Sequence, residues 1–554
     1  MILKKDLAEL IFPDVNETIA DLEAKYPARS LAEGAKVTRF APSPTGFLHT
    51  GSLFTALVAS KVAKDSKGIF YLRLEDTDTK REIEGSGNKL VEQLKKFNIV
   101  ANEGYLGDEE KGIYGPYKQS DRRMIYRTVI KEMIINDLAY PCFATPEDLE
   151  KLRNEQTENK EITGYYGKYA IYRNLSEEEA YNKIKNGEPY VIRFKSKGDH
   201  NNKIKVHDEI RGDLELTQND QDIVILKSDG LPTYHFAHCC DDHFMHTNLV
   251  TRGEEWLPSL PLHIELFSSL HFKTPKYAHL PVIMKMEDDK RRKLSKRKDP
   301  EASVDYFLEK GYEPQSLLVY LMTIANSNYE DYIVQSKNYD LDTFTFSLKK
   351  MSLDGALFDI EKLNFYAKEI LGKMNKEEIC EKSYAWAKQY DQELVRFIEK
   401  DVNKYKEILN IEREKKNPRK DYAKYSDILP AIKFFDNEEY DLIISNKGYE
   451  FNENIDKEIV KNFLSEYKNH IVLTGEENDW YNGAKEAASK FNFATDMKAY
   501  KLNPSDYIGN MNDACELLRV VVSGNKITPN LFSIMKILNK EEVIRRIDLA
   551  IKTL

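Results

Sequence analysis

The order of apolar and polar positions predicts alternating strands and helices in the first part of the chain. KVTRFA (36–41) has strand character, and SLFTALVASKVAK (52–64) has the apolar spacing of an amphipathic helix. GIFYLRLED (68–76) is predicted to be a buried strand. Because a strand, a helix and a strand in this order form a βαβ unit, we expect a parallel sheet.

The pattern changes further along the chain. Residues 121–140 are predicted to be mostly helical, and strand-like segments follow at 190–195 and 222–227. A strand–helix pair (248–270) and one more strand (277–286) precede a C-terminal region that is almost entirely helical. The pattern therefore predicts an α/β fold in which an insertion divides a nucleotide-binding type of sheet and a long helical region follows.

Composition narrows the class of protein. Of 554 residues, 41% are hydrophobic and 31% are charged, and no apolar run approaches the roughly 18 residues of a membrane span. The net charge of −10 argues against a chain coated in nucleic acid, although basic runs at 290–298 and 413–420 leave local binding open. Residues 1–35 are predicted to be helical, and their seven acidic and four basic side chains are unlike a signal or transit peptide. Five cysteines without a CxxC pair indicate a reducing compartment, so we expect a cytoplasmic protein.

The segment RFAPSPTGFLHTGS (39–52) joins a constrained loop to the start of a helix. The free N–H groups at Gly51 and Ser52, with the positive end of the helix dipole, are typical of an anion site. His49 stands beside them and can donate a hydrogen bond to a phosphate or sugar oxygen. The spacing is neither GxGxxG nor GxxxxGK[ST], which excludes the dinucleotide and P-loop interpretations. Taken alone, the segment also fits a plain turn with a hydrogen-bonded core histidine.

KLSKR (293–297) is predicted to lie on a flexible loop after a strand, where Lys293 and Lys296 can hold a triphosphate. Together with PSPTGFLHTG, it resembles the HIGH and KMSKS motifs of class I aminoacyl-tRNA synthetases, and the detail resembles glutamyl-tRNA synthetases of bacterial type. Further segments occur in that family's order: RLEDTD (73–78), GPYKQSDR (115–122), SDGLPTYHFA (228–237), DDH (241–243), RGEEW (252–256), KLSKRKDPEAS (293–303), SLDGALFDIEKL (352–363) and LLRVVVSG (517–524).

The resemblance implies both a fold and a reaction. The family joins L-glutamate to ATP, releasing pyrophosphate, and then transfers glutamate from the adenylate to the terminal adenosine of tRNA(Glu), releasing AMP. Its α/β catalytic domain is of Rossmann type with a parallel sheet, is split by an acceptor-binding insertion and is followed by an all-α region. The implied domains are an N-terminal helical extension (1–35), the first catalytic half (36–115), the acceptor-end insertion (116–225), the second catalytic half (226–298), a stem-contact domain (299–375) and an α-helical anticodon-binding domain (376–554).

The resemblance also implies an ATP site with Mg²⁺ bound to the nucleotide. Within it, the catalytic residues are expected to be His49, Lys293 and Lys296. The full set of expected ATP-binding residues is His49, Gly51, Ser52, Glu255, Met284, Lys293, Ser295, Lys296 and Arg297.

Glutamate carries two carboxylates and one ammonium group, so its pocket needs cations or strong donors and one anion. Arg39 and Arg252 each offer a bidentate fork, and Glu75 can accept the ammonium. Which arginine binds the side-chain carboxylate stays open. The residues that the resemblance implies for glutamate binding are Arg39, Ala41, Ser43, Glu75, Tyr234, His238 and Arg252.

The chain departs from the family pattern at several positions. His238 stands where many members have asparagine, and we predict that its protonation makes glutamate affinity depend on pH between 6 and 8. Phe54 replaces an arginine and Lys298 a histidine, and neither change is expected to abolish activity. HCCDDHFMH (238–246) suggests a metal site, but adjacent side chains cannot converge on one ion, so no zinc and no other protein-bound metal is expected.

The implied macromolecular partner is tRNA(Glu), and the sequence leaves charging of tRNA(Gln) open. A basic run flanked by Tyr405, Tyr422 and Tyr425 is predicted to contact phosphates. Its candidate residues are Lys415, Lys416, Arg419 and Lys420. We expect the protein to be a monomer and to have no membrane partner.

Three other functions are weighed against this one. A glutaminyl-tRNA synthetase shares the motifs but usually carries β-barrels where this chain is helical. A tRNA-modifying glutamyl-transferase paralogue lacks the anticodon domain. A non-catalytic tRNA-binding protein would be expected to lose His49 or the phosphate lysines, which are present.

Overall fold

The structure, a computed structural model, describes residues 2–78, 83–295 and 297–554. These residues divide into two units. The first comprises the chain up to Tyr306 together with Leu318–Asp359, and the second comprises Phe307–Leu317 and Ile360–Leu554.

Helices in the first 359 residues are α1 (Lys4–Ile11), α2 (Ile19–Lys25), α3 (Thr50–Asp65), α4 (Ser86–Lys96), α5 (Arg123–Ile135), α6 (Pro146–Glu158), α7 (Glu177–Lys185), α8 (Tyr234–Phe244), α9 (Leu260–Ser269), α10 (Val304–Lys310), α11 (Pro314–Ala325) and α12 (Asn328–Ser336). The strands there are β1 (Val37–Phe40), β2 (Ile69–Leu72), β3 (Glu103–Tyr105), β4 (Glu110–Lys111), β5 (Ala139–Cys142), β6 (Val191–Phe194), β7 (Lys203–Asp208), β8 (Gly212–Thr217), β9 (Val224–Leu226), β10 (Leu249–Gly253), β11 (Lys276–Leu280), β12 (Ile283–Glu287), β13 (Lys290–Lys293) and β14 (Ala356–Leu357).

A parallel sheet forms the centre of the first unit. Strands β1, β2 and β3 pair in parallel, as do β10 and β11. β10 lies beside β1, because the N–H of Asn248 donates to the carbonyl of Val37 at 3.2 Å. The chain connects β1 to β2 on one side and the adjacent β10 to β11 on the other, and open α/β sheets bind their ligands where the connections diverge in this way. The βαβ unit and the α/β fold predicted from the sequence are confirmed.

The segment predicted as one strand at 277–286 is two strands, which corrects that prediction. β11 ends at Leu280 and β12 begins at Ile283, with Pro281 between them. Proline has no N–H to donate, so the chain leaves one ladder there. β11 pairs with β10 and β7, whereas β12 pairs with β13 and β14. Within KLSKR, Lys293 is the last residue of β13, and Leu294 and Ser295 follow outside the strand.

The insertion contains an antiparallel sheet of β5, β6 and β9. Between β6 and β9 the chain forms a hairpin of β7 and β8 that is rich in charged residues and was not predicted from the sequence. Asp208, at the end of β7, reaches β11 opposite Tyr277. The hairpin thus brings a buried carboxylate to the central sheet.

The N-terminal segment is helical, as predicted, and belongs to the core of the first unit. Leu7, Phe12 and Leu22 are buried in the same cluster as apolar side chains of α5 and α8. On α5, Lys131 donates to the carbonyl of Val15 at 2.7 Å. Thr18 and Asp21 form the capping box that starts α2.

The second unit is almost entirely helical, as the sequence predicts. Its helices from Ile360 onward are α13 (Ile360–Lys373), α14 (Lys376–Tyr390), α15 (Gln392–Lys400), α16 (Val402–Asn410), α17 (Ile428–Ile432), α18 (Asn437–Lys447), α19 (Lys457–Tyr467), α20 (Glu477–Ser489), α21 (Met497–Leu502), α22 (Met511–Ser523), α23 (Leu531–Leu538) and α24 (Lys540–Thr553), with short strands β15 (Phe493–Ala494) and β16 (Gly509–Asn510). Asn510 caps the start of α22, and Gly524 ends that helix in the left-handed conformation, with φ of 73°.

Candidate active site

A cavity of about 680 Å³ opens where β1 and β10 end. Each strand brings one arginine to it at its C-terminal end, and the loop after β2 brings a carboxylate. The first residue of α8 brings a phenol. Six of the seven residues predicted to bind glutamate line this cavity: Arg39, Ala41, Ser43, Glu75, Tyr234 and Arg252.

Arg39 is held by a buried carboxylate. Its Nε donates to Asp242 at 3.1 and 3.3 Å, and its Nη1 donates to the carbonyl of Thr251. Although burial alone raises the pKa of the Asp242 carboxyl, Arg39 and Arg73 together hold it well below its usual range. Arg39 therefore faces the cavity with a charge that is already partly balanced.

Glu75 is the buried carboxylate among the three described acidic residues that line the cavity, the other two being Asp78 and Glu255. Its carboxylate accepts a hydrogen bond from Arg73 Nη2 at 2.9 Å. Burial raises the pKa of Glu75 above its ordinary value, and Arg73 opposes that rise. An ammonium group bound here would favour the ionised carboxylate further.

Arg252 has a different environment. Its Nε donates to His279 Nε2 at 3.0 Å, its Nη1 lies 3.1 Å from His263 Nδ1, and its Nη2 donates to the carbonyl of Trp256. The guanidinium also lies over the ring of Tyr277, 4.9 Å from its centroid. Throughout the described ranges, no carboxylate lies within 4.0 Å of the Arg252 nitrogens.

His238 does not line the cavity, which corrects its assignment as a glutamate-binding residue. The ring is fully buried behind Arg39, with Nδ1 2.7 Å from Asp242 and Nε2 3.1 Å from the hydroxyl of Tyr277. Burial lowers the pKa of His238 to about 3, against the opposing effect of Asp242. Burial therefore favours the neutral ring between pH 6 and 8, which opposes the sequence-based prediction of titration in that range, and the pH dependence of glutamate affinity stays a prediction.

A second, smaller cavity of about 130 Å³ lies at the start of α3. It shares His49, Ser52 and Glu255 with the larger one. Five of the residues predicted to bind ATP line it: His49, Gly51, Ser52, Glu255 and Lys293. Phe54 lines it as well, in the place where the family often has arginine.

His49 is itself the N-cap of α3. Its Nδ1 accepts a hydrogen bond from the N–H of Gly51 at 2.9 Å. The amide of Gly51 was expected to face ATP, and the cap uses it instead. Because Nδ1 is the acceptor, the ring proton of neutral His49 is on Nε2, which makes that atom a donor.

Backbone and side-chain bonds join the two signature segments. Thr50 Oγ1 donates to the carbonyl of Glu301 at 2.6 Å, and the N–H of Val304 donates to the carbonyl of Leu48 at 3.1 Å. Across the smaller cavity, Lys293 Nζ lies 3.1 Å from Glu255 Oε1. The helix start and the lysine segment therefore face one space.

The remaining predicted ATP-binding residues that the structure describes do not line either cavity. Met284 lies in β12 opposite Lys293, and neither Ser295 nor Arg297 lines either cavity. Lys296 lies outside the described residues.

A carboxylate that the sequence reasoning missed anchors the lysine segment. Asp299 accepts two hydrogen bonds from the guanidinium of Arg292, at 2.6 and 2.8 Å, and one from the N–H of Ser295. The hydrogen bonds from Arg292 are the main cause that lowers the pKa of Asp299. Asp299 stands within KLSKRKDPEAS, but its role depends on an arginine in the preceding strand.

Comparison with known proteins agrees with this arrangement. The family described as tRNA synthetases class I (E and Q), catalytic domain, matches residues 36–365, and an anticodon binding domain matches residues 506–551. A glutamate–tRNA ligase of Clostridium perfringens strain 13 is 44% identical over 98% of this chain and 100% of its own length. A crystal structure of a glutamate tRNA ligase from Elizabethkingia meningosepticum, in complex with its amino acid, is 29% identical with a TM-score of 0.74, covering 94% of this chain and 99% of that one.

The chain belongs to the glutamyl-tRNA synthetase family.

The residues that line the larger cavity of this synthetase and were not predicted include Gln119, Lys227 and Trp256. The ring of Trp256 packs on Tyr234, with 4.2 Å between centroids. Gln119 and Trp256 stand within GPYKQSDR and RGEEW, so the motifs carried a signal for them that residue type alone did not.

The basic segment of the second unit is less open than the sequence suggests. Lys415 pairs with Glu412, Arg419 with Asp421 and Lys420 with Glu369, although Lys415 and Lys420 are exposed to solvent, as Lys416 is. The three tyrosines that flank the basic run are buried: Tyr405, Tyr422 and Tyr425. Phosphate contact by the four cations stays a prediction.

A larger cavity of about 950 Å³ lies in the second unit. Its wall carries five carboxylates and three cations, which is a poor match for an anionic nucleotide. The two arginines and the start of α3 converge instead on the two cavities of the first unit. In the described part of the chain, no group of three or more His, Cys, Asp and Glu side chains is arranged to hold a metal ion. Among the described helices, none has the length and apolar character that crossing a bilayer requires.

Proposed function

We propose that this synthetase is a glutamate–tRNA ligase, which activates L-glutamate with ATP and transfers it to the terminal adenosine of tRNA(Glu). The observation that carries the proposal is the cavity between β1 and β10. Its lining includes Arg39, Arg252 and the carboxylate of Glu75 beside a helix start, in a chain 44% identical to a glutamate–tRNA ligase. These two cations and one anion match the two carboxylates and one ammonium of glutamate, and Lys227, Asp78 and Glu255 also line the cavity.

In the proposed binding mode, Arg39 and Arg252 each bind one carboxylate of glutamate, and Glu75 accepts the ammonium. Ser43 and Tyr234 add hydroxyl groups at the same wall. Ala41 offers its backbone where β1 has ended. His238 acts through Arg39, which it contacts at 3.4 Å, rather than by touching the substrate.

In the activation step, an oxygen of the glutamate α-carboxylate attacks the α-phosphorus of ATP, and the bond to pyrophosphate breaks. Negative charge grows on the phosphate oxygens, so fixed donors and cations lower the barrier. We assign these roles to His49 Nε2, the amides at the start of α3 and Lys293, with Lys296 as a further candidate. Glu255 pairs with Lys293 and orients it until pyrophosphate takes its place.

Mg²⁺ enters with ATP in this proposal. The described residues supply no cage of carboxylates for it, which agrees with the preference of Mg²⁺ for phosphate and water oxygens. The ion adds positive charge at the phosphates when bound. The side chains named above bind and orient the two substrates.

In the transfer step, the terminal ribose hydroxyl of the tRNA attacks the glutamyl carbonyl, and AMP leaves with the bonding electrons. We propose that the insertion (116–225) binds the acceptor end, that residues 299–375 contact the stem and that the helical region (376–554) binds the anticodon. The anticodon-domain match to residues 506–551 supports the last assignment. Glutaminyl-tRNA synthetase is the second candidate, because the matching family covers both amino acids.

The test is ATP-dependent charging of purified tRNA(Glu) and tRNA(Gln), assayed separately with labelled glutamate and labelled glutamine. We expect glutamate on tRNA(Glu). Glutamate on tRNA(Gln) as well would define a non-discriminating enzyme, and glutamine on tRNA(Gln) alone would establish the second candidate. Light scattering on the same sample tests the expected monomer, and the cytoplasmic location stays a prediction of the sequence.

A further inference from the structure

Arg252 is the one of the two cavity arginines whose charge is not balanced by a protein carboxylate in the described residues. Its three hydrogen-bond acceptors are two imidazole nitrogens and a backbone carbonyl. Arg39, in contrast, shares Asp242 with Arg73. A guanidinium that is fixed by neutral acceptors keeps its full charge for a bound anion.

The geometry also fixes the protonation of the first imidazole. An arginine Nε can only donate, so His279 Nε2 is the acceptor and its proton lies on Nδ1. That Nδ1 donates to Asp208 at 2.7 Å. Asp208 is itself held by the N–H groups of Ile210, Arg211 and His279. The hairpin of β7 and β8 thus ends in a carboxylate that orients the ring on Arg252.

The same reasoning fixes the protonation of the second imidazole, that of His263. Because Arg252 Nη1 donates, His263 Nδ1 is the acceptor and the ring proton lies on Nε2. His263 Nε2 lies 2.9 Å from His235 Nδ1, which accepts that proton's hydrogen bond. The rings of His263 and His279 are fully buried, as deep in the fold as the apolar core. The groups that face His263 are Arg252, His235, His238 and Tyr234.

We propose that His263 and His279 are positioning residues for Arg252, which fix its guanidinium at the cavity wall as neutral acceptors and leave its charge to a substrate carboxylate. The inference rests on the proposed function, in which Arg252 binds glutamate. A carboxylate in place of either ring would hold Arg252 equally well but would neutralise it. A purely structural role of the histidines would not distinguish a neutral acceptor from a charged one.

The test compares two isosteric variants, His263→Asn and His263→Asp, at pH 8. In both, an oxygen takes the place of Nδ1, and both lose the bond to His235, so they differ only in charge. We expect the Asn variant to keep the glutamate KM within about threefold of wild type. The Asp variant should raise that KM by about 10- to 100-fold, the range of a charge-assisted hydrogen bond, with kcat and the ATP KM nearly unchanged.

A matched control removes another histidine of the same unit. His243 lies on α8, pairs with Glu23 and stacks on Phe272, away from both cavities. His243→Asn should leave the glutamate KM unchanged. Thermal melting of all three variants reports whether any change in KM follows from lost folding.

Two glutamate analogues sharpen the test. L-glutamine replaces the side-chain carboxylate by an amide, and L-isoglutamine replaces the α-carboxylate. If Arg252 binds the side-chain carboxylate, His263→Asp should weaken inhibition by isoglutamine but not by glutamine, and the reverse pattern assigns Arg252 to the α-carboxylate. Equal weakening of both would mean a deformed pocket and would overturn the proposal.

The failures are distinguishable. If the wild-type protein does not charge tRNA(Glu), the proposed function fails. If the wild type charges tRNA(Glu) but the Asn and Asp variants have the same glutamate KM at pH 8, the positioning role fails and the function stands.

Discussion

The two arginines of the larger cavity are held in opposite ways. Arg39 belongs to a buried ionic network with Arg73 and Asp242, which we call the Arg39 wall. Arg252 is bracketed by neutral groups, His263 and His279, which we call the Arg252 wall. The first arrangement ties substrate binding to the stability of the fold. The second arrangement separates substrate binding from stability, because the charge of Arg252 is available to a ligand and contributes little to the free energy of folding.

The largest effect is expected from the central carboxylate of the Arg39 wall. Asp242→Asn leaves Arg39 and Arg73 buried without their shared anion, and breaking a buried pair in this way costs about 3–5 kcal/mol. Urea unfolding should show that loss, whereas His263→Asn on the other wall should cost about 1–2 kcal/mol. Equal losses in the two variants would contradict the contrast between the walls.

The arginines themselves should separate binding from stability. Arg252→Gln removes the unbalanced charge, so we expect the glutamate KM to rise about 10- to 100-fold while the free energy of unfolding falls by only about 1 kcal/mol. Arg39→Gln should weaken glutamate binding and destabilise the fold together. Steady-state kinetics and denaturant unfolding on the same preparations measure both quantities. A large loss of stability in Arg252→Gln would show that the hydrogen bonds of Arg252 to His263 and His279 serve to stabilise the fold.

The pH dependence of stability has a predicted sign. Burial lowers the pKa of His238 to about 3 and that of His235 to about 4. In the unfolded chain both rings regain an ordinary pKa of about 6.5. Below that value the unfolded state binds protons that the native state does not, so stability is fully present above about pH 6.5 and falls toward pH 4.

Thermal melting from pH 7.5 to 4.5 tests that sign. The decline should be shallower in His238→Asn, which has no imidazole to protonate. The ring of His238 contacts Arg39, Asp242, Tyr277 and His263, and these neighbours shield it from solvent. The glutamate KM should therefore show no inflection from His238 between pH 6 and 8, and a wild-type inflection that this variant abolishes would restore the sequence-based prediction.

The smallest effect is expected for the basic segment of the second unit, where lysine and arginine side chains pair with carboxylates, as Arg39 does in the first unit. Neutralising Lys415, Lys416, Arg419 and Lys420 together should weaken tRNA(Glu) binding at low salt. Each lost phosphate contact lowers the slope of log K against log salt by about 1. Because three of the four are paired with carboxylates, we expect a change in slope smaller than about 4. Filter binding between 50 and 200 mM salt measures it, and an unchanged slope would remove the patch from the interface.

The sequence located the residues of the cavity better than it located their partners. Arg39, Glu75 and Arg252 stand in short motifs at the ends of strands, and the parallel-sheet prediction already places such ends at one edge. Asp242 and His279 hold these arginines from positions far away in the chain. Periodicity reports that a position is buried, but it does not report which buried side chains meet.

Two other differences have local physical causes. Pro281 stands inside a stretch of otherwise strand-like composition, and the pattern alone did not show that it divides two sheets. Tyr405, Tyr422 and Tyr425 flank a basic run. Tyrosines beside basic residues occur on nucleic-acid-binding surfaces and equally where the core of a helical domain meets its surface. Their burial decides for the core.

The most direct test is a crystal structure of the protein with bound L-glutamate. We expect one carboxylate of glutamate within hydrogen-bond distance of Arg252, the ammonium beside Glu75, and the contacts of Arg252 to His263 and His279 unchanged. Glutamate bound outside the cavity, or an Arg252 that leaves both imidazoles to reach the ligand, would contradict this expectation.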